Sequence, residues 1–159
     1  MTIGYVTLEE ANQYIETHYL ETEEARTMWE DLDDDSKEIL LRRSHEAIDC
    51  LPFPGRKTYP DKPESFPRYP KTEVPYQIKH AQIENALSLS DTSISAEKDF
   101  YDKMRSFGIS SYSIGNLSES FGSATVGASG IKEQLGSVGV LSSRAQMLIA
   151  PFLYGGFRI

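Results

Sequence analysis

The 159-residue chain has a single cysteine, Cys50. One thiol excludes an intramolecular disulfide and a cysteine zinc cluster, and it fits a reducing compartment. Basic residues are scarce beside acidic ones, 16 against 24, for a formal charge of −8. That deficit argues against holding nucleic acid by neutralising its phosphates. It leaves open a surface past which DNA moves without adhering. No apolar run is long enough for a membrane span, and the opening Met-Thr-Ile-Gly-Tyr-Val lacks the basic segment of a leader. A soluble protein with no membrane partner is expected. At 39% hydrophobic and 25% charged residues, one domain with a modest core is expected, with or without an arm.

Proline, by contrast, is concentrated in one place. Seven of the eight prolines lie between Leu51 and Pro75, interleaved with Phe53, Tyr59, Phe66 and Tyr69 and with Arg56, Lys57, Lys62, Arg68 and Lys71. Proline fixes φ and removes a backbone donor, so neither a helix nor a central strand runs through this stretch. It is also too aromatic for a solvated linker. A stiff loop with apolar anchors over 52–75 is expected to contact something. The charge before it has the opposite sign: Glu21, Glu23, Glu24, Glu30, Asp31, Asp33, Asp34 and Asp35 crowd together. That opposition either steers identical subunits head to side or is solvated surface, the simpler of the two readings.

Periodicity predicts a mainly α fold, a four- to five-helix bundle. Thr7-Leu-Glu-Glu10 reads as a capping box before a helix near 8–19, with a short helix near 22–31 carrying Trp29. Asp35-Ser-Lys-Glu38 reads as a second capping box, opening a helix near 36–50 that Pro52 ends. Pro75 opens a helix near 75–90 whose apolar residues do not keep to one stripe, the mark of a central helix with several neighbours. A short helix near 96–107 extends the bundle, giving a first unit over 1–107.

Beyond it, 109–114 and 117–121 alternate around Gly115-Asn116, a β-hairpin signal. Residues 122–139 are Gly-, Ser- and Ala-rich, expected to be mobile in isolation. A helix over 141–150 then leads into the apolar ending. A second unit over 108–159 is therefore a hairpin, a tether and an extended C-terminal arm, which either folds back onto the bundle or docks elsewhere.

No motif carries catalysis. Asp31-x-Asp33-x-Asp35 begins like a calcium loop but has Ser36 and Arg42 where glycine and the bidentate glutamate belong. His18, His45 and His80 fall on three helices without a metal-ligand spacing, and Cys50 reads as a small buried residue at a helix end. Serines lack a Gly-x-Ser-x-Gly elbow, and Gly136-Ser-Val-Gly139 lacks the lysine of a phosphate loop. No catalytic, cofactor-binding or metal-binding residue is assigned. In the proline loop, Arg56, Lys57, Arg68 and Lys71 beside Phe53, Tyr59, Phe66 and Tyr69 suit either stacking with single-stranded DNA or packing against protein. The acidity of the chain favours packing.

Several segments stand in an order that identifies a family. They are Tyr5-Val-Thr-Leu-Glu-Glu-Ala11, Trp29 before an acidic cap, Arg42-Arg-Ser-His-Glu-Ala-Ile-Asp49 and Phe53-Pro-Gly-Arg-Lys57. Phe66-Pro-Arg68, Val74-Pro75, Ile114-Gly-Asn-Leu-Ser-Glu-Ser-Phe121 and Leu148-Ile-Ala-Pro-Phe152 follow. The chain resembles the tailed-phage head–tail connector (adaptor, or head-completion) family, part of which is labelled DnaT-like single-stranded DNA-binding protein. The acidic stretch 30–35 and the long segment 122–139 depart from its pattern.

The resemblance implies a non-enzymatic virion protein of the neck, made in the host cytoplasm and assembled as a ring, usually of twelve copies. The ring lies beneath the portal protein, extends a DNA channel without binding DNA specifically, and offers a platform to the next neck or tail-completion protein. On that reading Phe53, Arg56, Phe66, Arg68 and Tyr69 are assigned to subunit or neck contacts. Tyr112, Ile114, Phe121, Met147, Leu148, Phe152 and Phe157 are assigned to portal docking. The alternative is a single-stranded DNA-binding accessory protein that uses the proline loop.

Overall fold

The computed structural model describes residues 1–93, 96, 99, 100, 103, 139, 140 and 142–153, and the backbone of 111–114 and 117–120. The chain opens with a small antiparallel hairpin that periodicity does not announce: β1 (Thr2–Ile3) pairs with β2 (Val6–Thr7), Thr2 opposite Thr7 and Ile3 opposite Val6. Gly4 makes its turn at φ +66°, and a Cβ there would lie 2.4 Å from the His45 ring. Only glycine meets both conditions.

Helix α1 (Leu8–His18) starts at the expected capping box. The Thr7 hydroxyl accepts from the Glu10 N–H at 3.1 Å, and a Glu10 carboxylate oxygen accepts from the Thr7 N–H at 2.8 Å. Helix α2 (Glu24–Glu30) buries Trp29, whose indole N–H donates to Asn12 Oδ1 at 2.9 Å. Helix α3 (Asp34–Asp49) begins earlier than the second capping box suggests, with Asp33 at the N-cap. Carboxylates in a first turn complement the positive end of the helix dipole, so Asp34 and Asp35 join the helix instead of preceding it. Cys50 caps its far end and is exposed, not buried.

Helix α4 (Tyr76–Ser90) follows Pro75 and is the centre of the molecule, as its unstriped apolar pattern predicts. Ile78 and Ala81 join one cluster with Tyr5, Ile48, Leu51, Phe53 and Phe66. Ile83, Ala86 and Leu87 join a second with Val6, Ile15, Trp29 and Leu41. One helix thus serves two cores, so it cannot have a polar face of the usual width.

Strands β3 (Ser111–Ile114) and β4 (Leu117–Ser120) pair antiparallel with Ile114 opposite Leu117. The expected hairpin is there, and its turn residues fall outside the described set. So do the Gly/Ser-rich segment up to 138 and most of the helix expected over 96–107.

Of the two courses expected for the C-terminal arm, helix α5 (Ser143–Leu153) takes the first and folds back onto the bundle. Ala145 and Ile149 are fully buried in the first cluster, Val140 joins them, and Leu148, Phe152 and Leu153 pack against it. Ser142 caps the helix by accepting the Ala145 N–H at 3.2 Å. The division expected after residue 107 therefore does not isolate this helix from the bundle. The architecture is mainly helical, a bundle with a structured proline loop and a small hairpin.

Candidate functional site

The end of α3, the proline loop and the N-terminal turn are fastened at Asp49. One carboxylate oxygen, Oδ1, accepts from the Tyr5 hydroxyl at 2.5 Å and from the Ser65 N–H at 2.6 Å. The Ser65 hydroxyl donates to the Asp49 carbonyl at 3.1 Å. Burial, and then the bond to Asp49, push the Tyr5 hydroxyl far above the usual tyrosine pKa.

Next to this knot the Phe66 ring meets three others edge-on: Phe53 at 4.7 Å, Phe152 at 5.8 Å and Tyr5 at 6.0 Å between centroids. Such edge-to-face pairs add about 0.5–1.5 kcal/mol each beyond the area they bury.

The loop is built in two layers. Inside lie Phe53 and Phe66, 7% and 4% exposed. Arg68 spans them, its guanidinium 5.8 Å and 5.9 Å from the two ring centroids, and donates to the Gly55 carbonyl at 2.7 Å. The backbone closes on itself as well, Tyr69 N–H to the Arg56 carbonyl at 2.9 Å and Thr58 N–H to the Pro67 carbonyl at 3.0 Å. The peptide bonds Phe66–Pro67 and Tyr69–Pro70 are cis. Lys57 is also turned inward, donating to the Lys62 and Pro63 carbonyls at 3.1 Å and 2.8 Å.

Outside lie exposed tyrosines with cations against them: Arg56 is 4.8 Å from the Tyr69 ring and Lys62 is 4.9 Å from the Tyr59 ring. Tyr69 and Tyr76 are 63% and 64% exposed. Tyr76 also lines an open groove of about 880 Å³, together with residues 70–75, Lys79, Thr2 and the turn at Gly4-Tyr5.

The expected contact residues divide accordingly. Arg56 and Tyr69 are presented to solvent. Phe53 and Phe66 are corrected to core, because their rings bury more apolar surface against the bundle than a loop tip offers. Arg68 holds the loop in shape. Of the residues assigned to docking, Met147 is 75% exposed, whereas Leu148 and Phe152 lean on the chain's own core. Tyr112 and Ile114 lie on β3, where the backbone alone is described. Phe121 and Phe157 fall outside the described residues. Tyr59, expected among the aromatics of the loop, is exposed with Lys62 against it; Tyr76 lies outside that expectation, and its place directly after Pro75 is the available signal.

A second set of polar groups lies inside the bundle. Gln82, fully buried, accepts from the Tyr5 N–H at 3.0 Å and donates to the Ile3 and Leu41 carbonyls at 2.8 Å and 2.9 Å. Glu84, 2% exposed, accepts from the Tyr14 hydroxyl at 2.6 Å and the Tyr19 hydroxyl at 2.5 Å. The Arg144 side chain of α5 reaches the same carboxylate at 3.4 Å. Burial first, and Glu84 second, push both tyrosines above their usual pKa. Asn85 donates to the Gly139 carbonyl at 3.0 Å. These are fastenings between elements, each group satisfied by a neighbour.

His18 and His80 do converge, 5.8 Å apart, with Tyr14 stacked on His18 at 3.9 Å. His45 sits apart, edge-on to Tyr5 at 4.6 Å. Among the described residues, no group of three or more His, Cys, Asp or Glu side chains is placed to hold a metal ion. Nor, among them, is any helix long and apolar enough to cross a membrane.

The fold and site define a helical bundle whose presented surface is a rigid, tyrosine- and cation-bearing loop. The family model described as "Putative DnaT-like ssDNA binding protein" matches residues 4–153. The chain belongs to this family. Neither the curated proteins nor the solved structures include a match to it.

Proposed function

We propose that the chain is a structural, non-catalytic head–tail connector of a tailed phage, a ring subunit beneath the portal in the virion neck. One observation carries the reading: the separated segments that resemble the connector family meet at one place in the fold. Tyr5, Asp49, Phe53, Phe66 and Phe152 come from five such segments, and they form the Asp49 knot and the rings around Phe66. What the segments share is therefore a brace for a loop, not a set of reacting groups. An acidic bundle also suits a channel wall along which DNA slides. The partners on this reading are further copies of the chain, the portal protein and the next neck or tail protein.

The second reading, a single-stranded DNA-binding accessory protein, has the family description directly on its side. Its structural support is the outer layer, where Tyr59, Tyr69 and Tyr76 offer stacking faces beside Arg56, Lys62 and Lys71. Against it stands the use of Lys57 and Arg68 on backbone carbonyls, which reduces the cations available to phosphates.

Electron microscopy of the protein mixed with purified portal rings tests the first reading. The expected result is a second ring stacked on the portal; a folded monomer with no portal affinity removes it. Fluorescence anisotropy with labelled oligo(dT) tests the second. Tight binding that falls steeply with salt, and is lost in Tyr69→Ala/Tyr76→Ala, would replace the connector reading with it.

A further inference from the structure

The basic, tyrosine-bearing face of the loop and the acidic end of the bundle lie at opposite ends of α3. The 16 residues of that helix span about 24 Å at 1.5 Å per residue. Its first turn carries the acidic cluster, and its last residue, Asp49, holds the loop. Screening acts over roughly 8–10 Å at ordinary salt, so neither end neutralises the other within one chain.

We propose that the tyrosine–cation face of the loop docks on the acidic α2–α3 end of a second copy of this chain. The inference deepens the connector reading and rests on it only for the closing of repeated contacts into a ring. A contact between two different faces of identical subunits is heterologous, and such contacts repeat into a ring where the rotation between copies closes and into a filament where it does not.

Three observations favour this occupant. Charge is complementary: residues 51–79 hold six basic and three acidic side chains, while eight carboxylates between 21 and 35 are all exposed. Each face also carries exposed apolar surface within its charge. Tyr69 and Tyr76 stand on one, and Leu20 and Ile39, 69% and 51% exposed, flank the other. Such anchors ringed by polar groups are what a protein contact uses.

The third observation separates protein from nucleic acid. Of the six basic side chains, Lys57 and Arg68 are spent on carbonyls and Lys79 is held by Glu10 at 3.0 Å. The exposed cations that remain are Arg56, Lys62 and Lys71. Two of those lie over tyrosine rings, an arrangement suited to meeting carboxylates with a desolvated edge.

The test is a charge swap in the full chain. Glu21→Lys/Asp31→Lys halves the negative charge of the eight carboxylates on the acidic end without placing a cation in the first turn of α2 or α3. Arg56→Glu/Lys71→Glu reverses the loop face and leaves Lys57 and Arg68 in place. In sedimentation velocity at low salt, the wild-type protein is expected to grow in sedimentation coefficient with concentration, and each variant alone to lose that growth. An equimolar mixture of the two variants is expected to regain it.

Carbodiimide cross-linking of mixed ¹⁴N and ¹⁵N wild-type protein reads the contact without any variant, and Lys62 or Lys71 is expected joined to a carboxylate of 21–35 in mixed-isotope pairs. Self-association indifferent to both variants, or no mixed-isotope link at the highest soluble concentration, overturns the inference. So does oligo(dT) occupying the face without competition from added protein. A portal-bound ring built equally well by both variants sinks this contact and leaves the connector reading intact. Rescue by the mixture with no ring on the portal does the reverse.

Discussion

Gln82 has to satisfy three backbone groups at once, and no solvent can take its place. It accepts the Tyr5 N–H and donates to the Ile3 and Leu41 carbonyls, while its own carbonyl accepts the Ser44 hydroxyl at 2.7 Å. In Gln82→Leu the buried Tyr5 N–H loses its side-chain acceptor, and the Ile3 and Leu41 carbonyls each lose a donor. The expected loss is about 2–4 kcal/mol by urea denaturation, more than a volume change alone produces.

Gly4→Ala fails for a different reason, since its φ of +66° and the His45 ring at 2.4 Å both oppose a Cβ. A loss of about 1–3 kcal/mol is expected, and Gly55→Ala, with φ +88° but nothing within 4 Å, separates the backbone cost from the clash.

Tyr5, Tyr14 and Tyr19 make stability depend on alkaline pH. Their folded pKa values are raised above the ordinary tyrosine value of about 10, by burial first and by the acceptor carboxylates next. The unfolded chain loses those protons near pH 10 and the folded one keeps them, so stability is full below pH 10 and falls as pH rises beyond it. Absorbance at 295 nm across an alkaline titration is expected to show the exposed tyrosines ionising near pH 10. Tyr5, Tyr14 and Tyr19 should follow only as the helical circular dichroism signal is lost. A single transition for all tyrosines with the helices intact would show that they are not held this way.

At the scale of elements, α5 decides whether the C-terminal part is an appendage. Val140, Ala145 and Ile149 are fully buried, and Arg144 reaches the Glu84 carboxylate. Ending the chain at residue 138 is therefore expected to cost several kcal/mol and to expose Glu84. Ile149→Ala alone costs about 2–4 kcal/mol. Unchanged stability after truncation would return α5 to the role of a free docking arm. On the proposed connector reading, the candidate of this helix for a portal contact is Met147, its exposed large apolar residue. The proline loop is the other such element, fixed to α3 through Asp49 and to α5 through Phe66 and Phe152.

At the scale of the whole molecule, charge limits what DNA can do here. Three exposed cations on the loop face, if all meet phosphates, give a log–log salt slope of about −2 for a single strand. Oligo(dT) titrations at several salt concentrations are expected to give a slope no steeper than that. A slope of twice the size would mean that basic side chains outside the loop join the contact. A shallow slope fits a protein near DNA that does not grip it.

The sequence by itself determined the mainly helical fold, because helix periodicity and capping are local: Thr7 and Glu10 are three residues apart, and Pro52 and Pro75 stop and start helices without help. It also determined that α4 is central, since a helix apolar on several sides must have neighbours on each. The existence of a stiff loop followed from proline alone, and the charge of its surroundings from counting.

Only the tertiary structure decided which loop residues face inward. Phe53 and Tyr69 look alike in sequence, and the difference is that Phe53 reaches Phe66 and Ile48's cluster while Tyr69 has solvent before it. It also decided that α5 belongs to the core and that Gln82, Glu84 and Asn85 are fastenings. Those roles depend on partners as distant in sequence as Tyr5, Tyr14 and Gly139. Burial and hydrogen bonding between remote segments leave no period in a chain, so only the folded molecule records them.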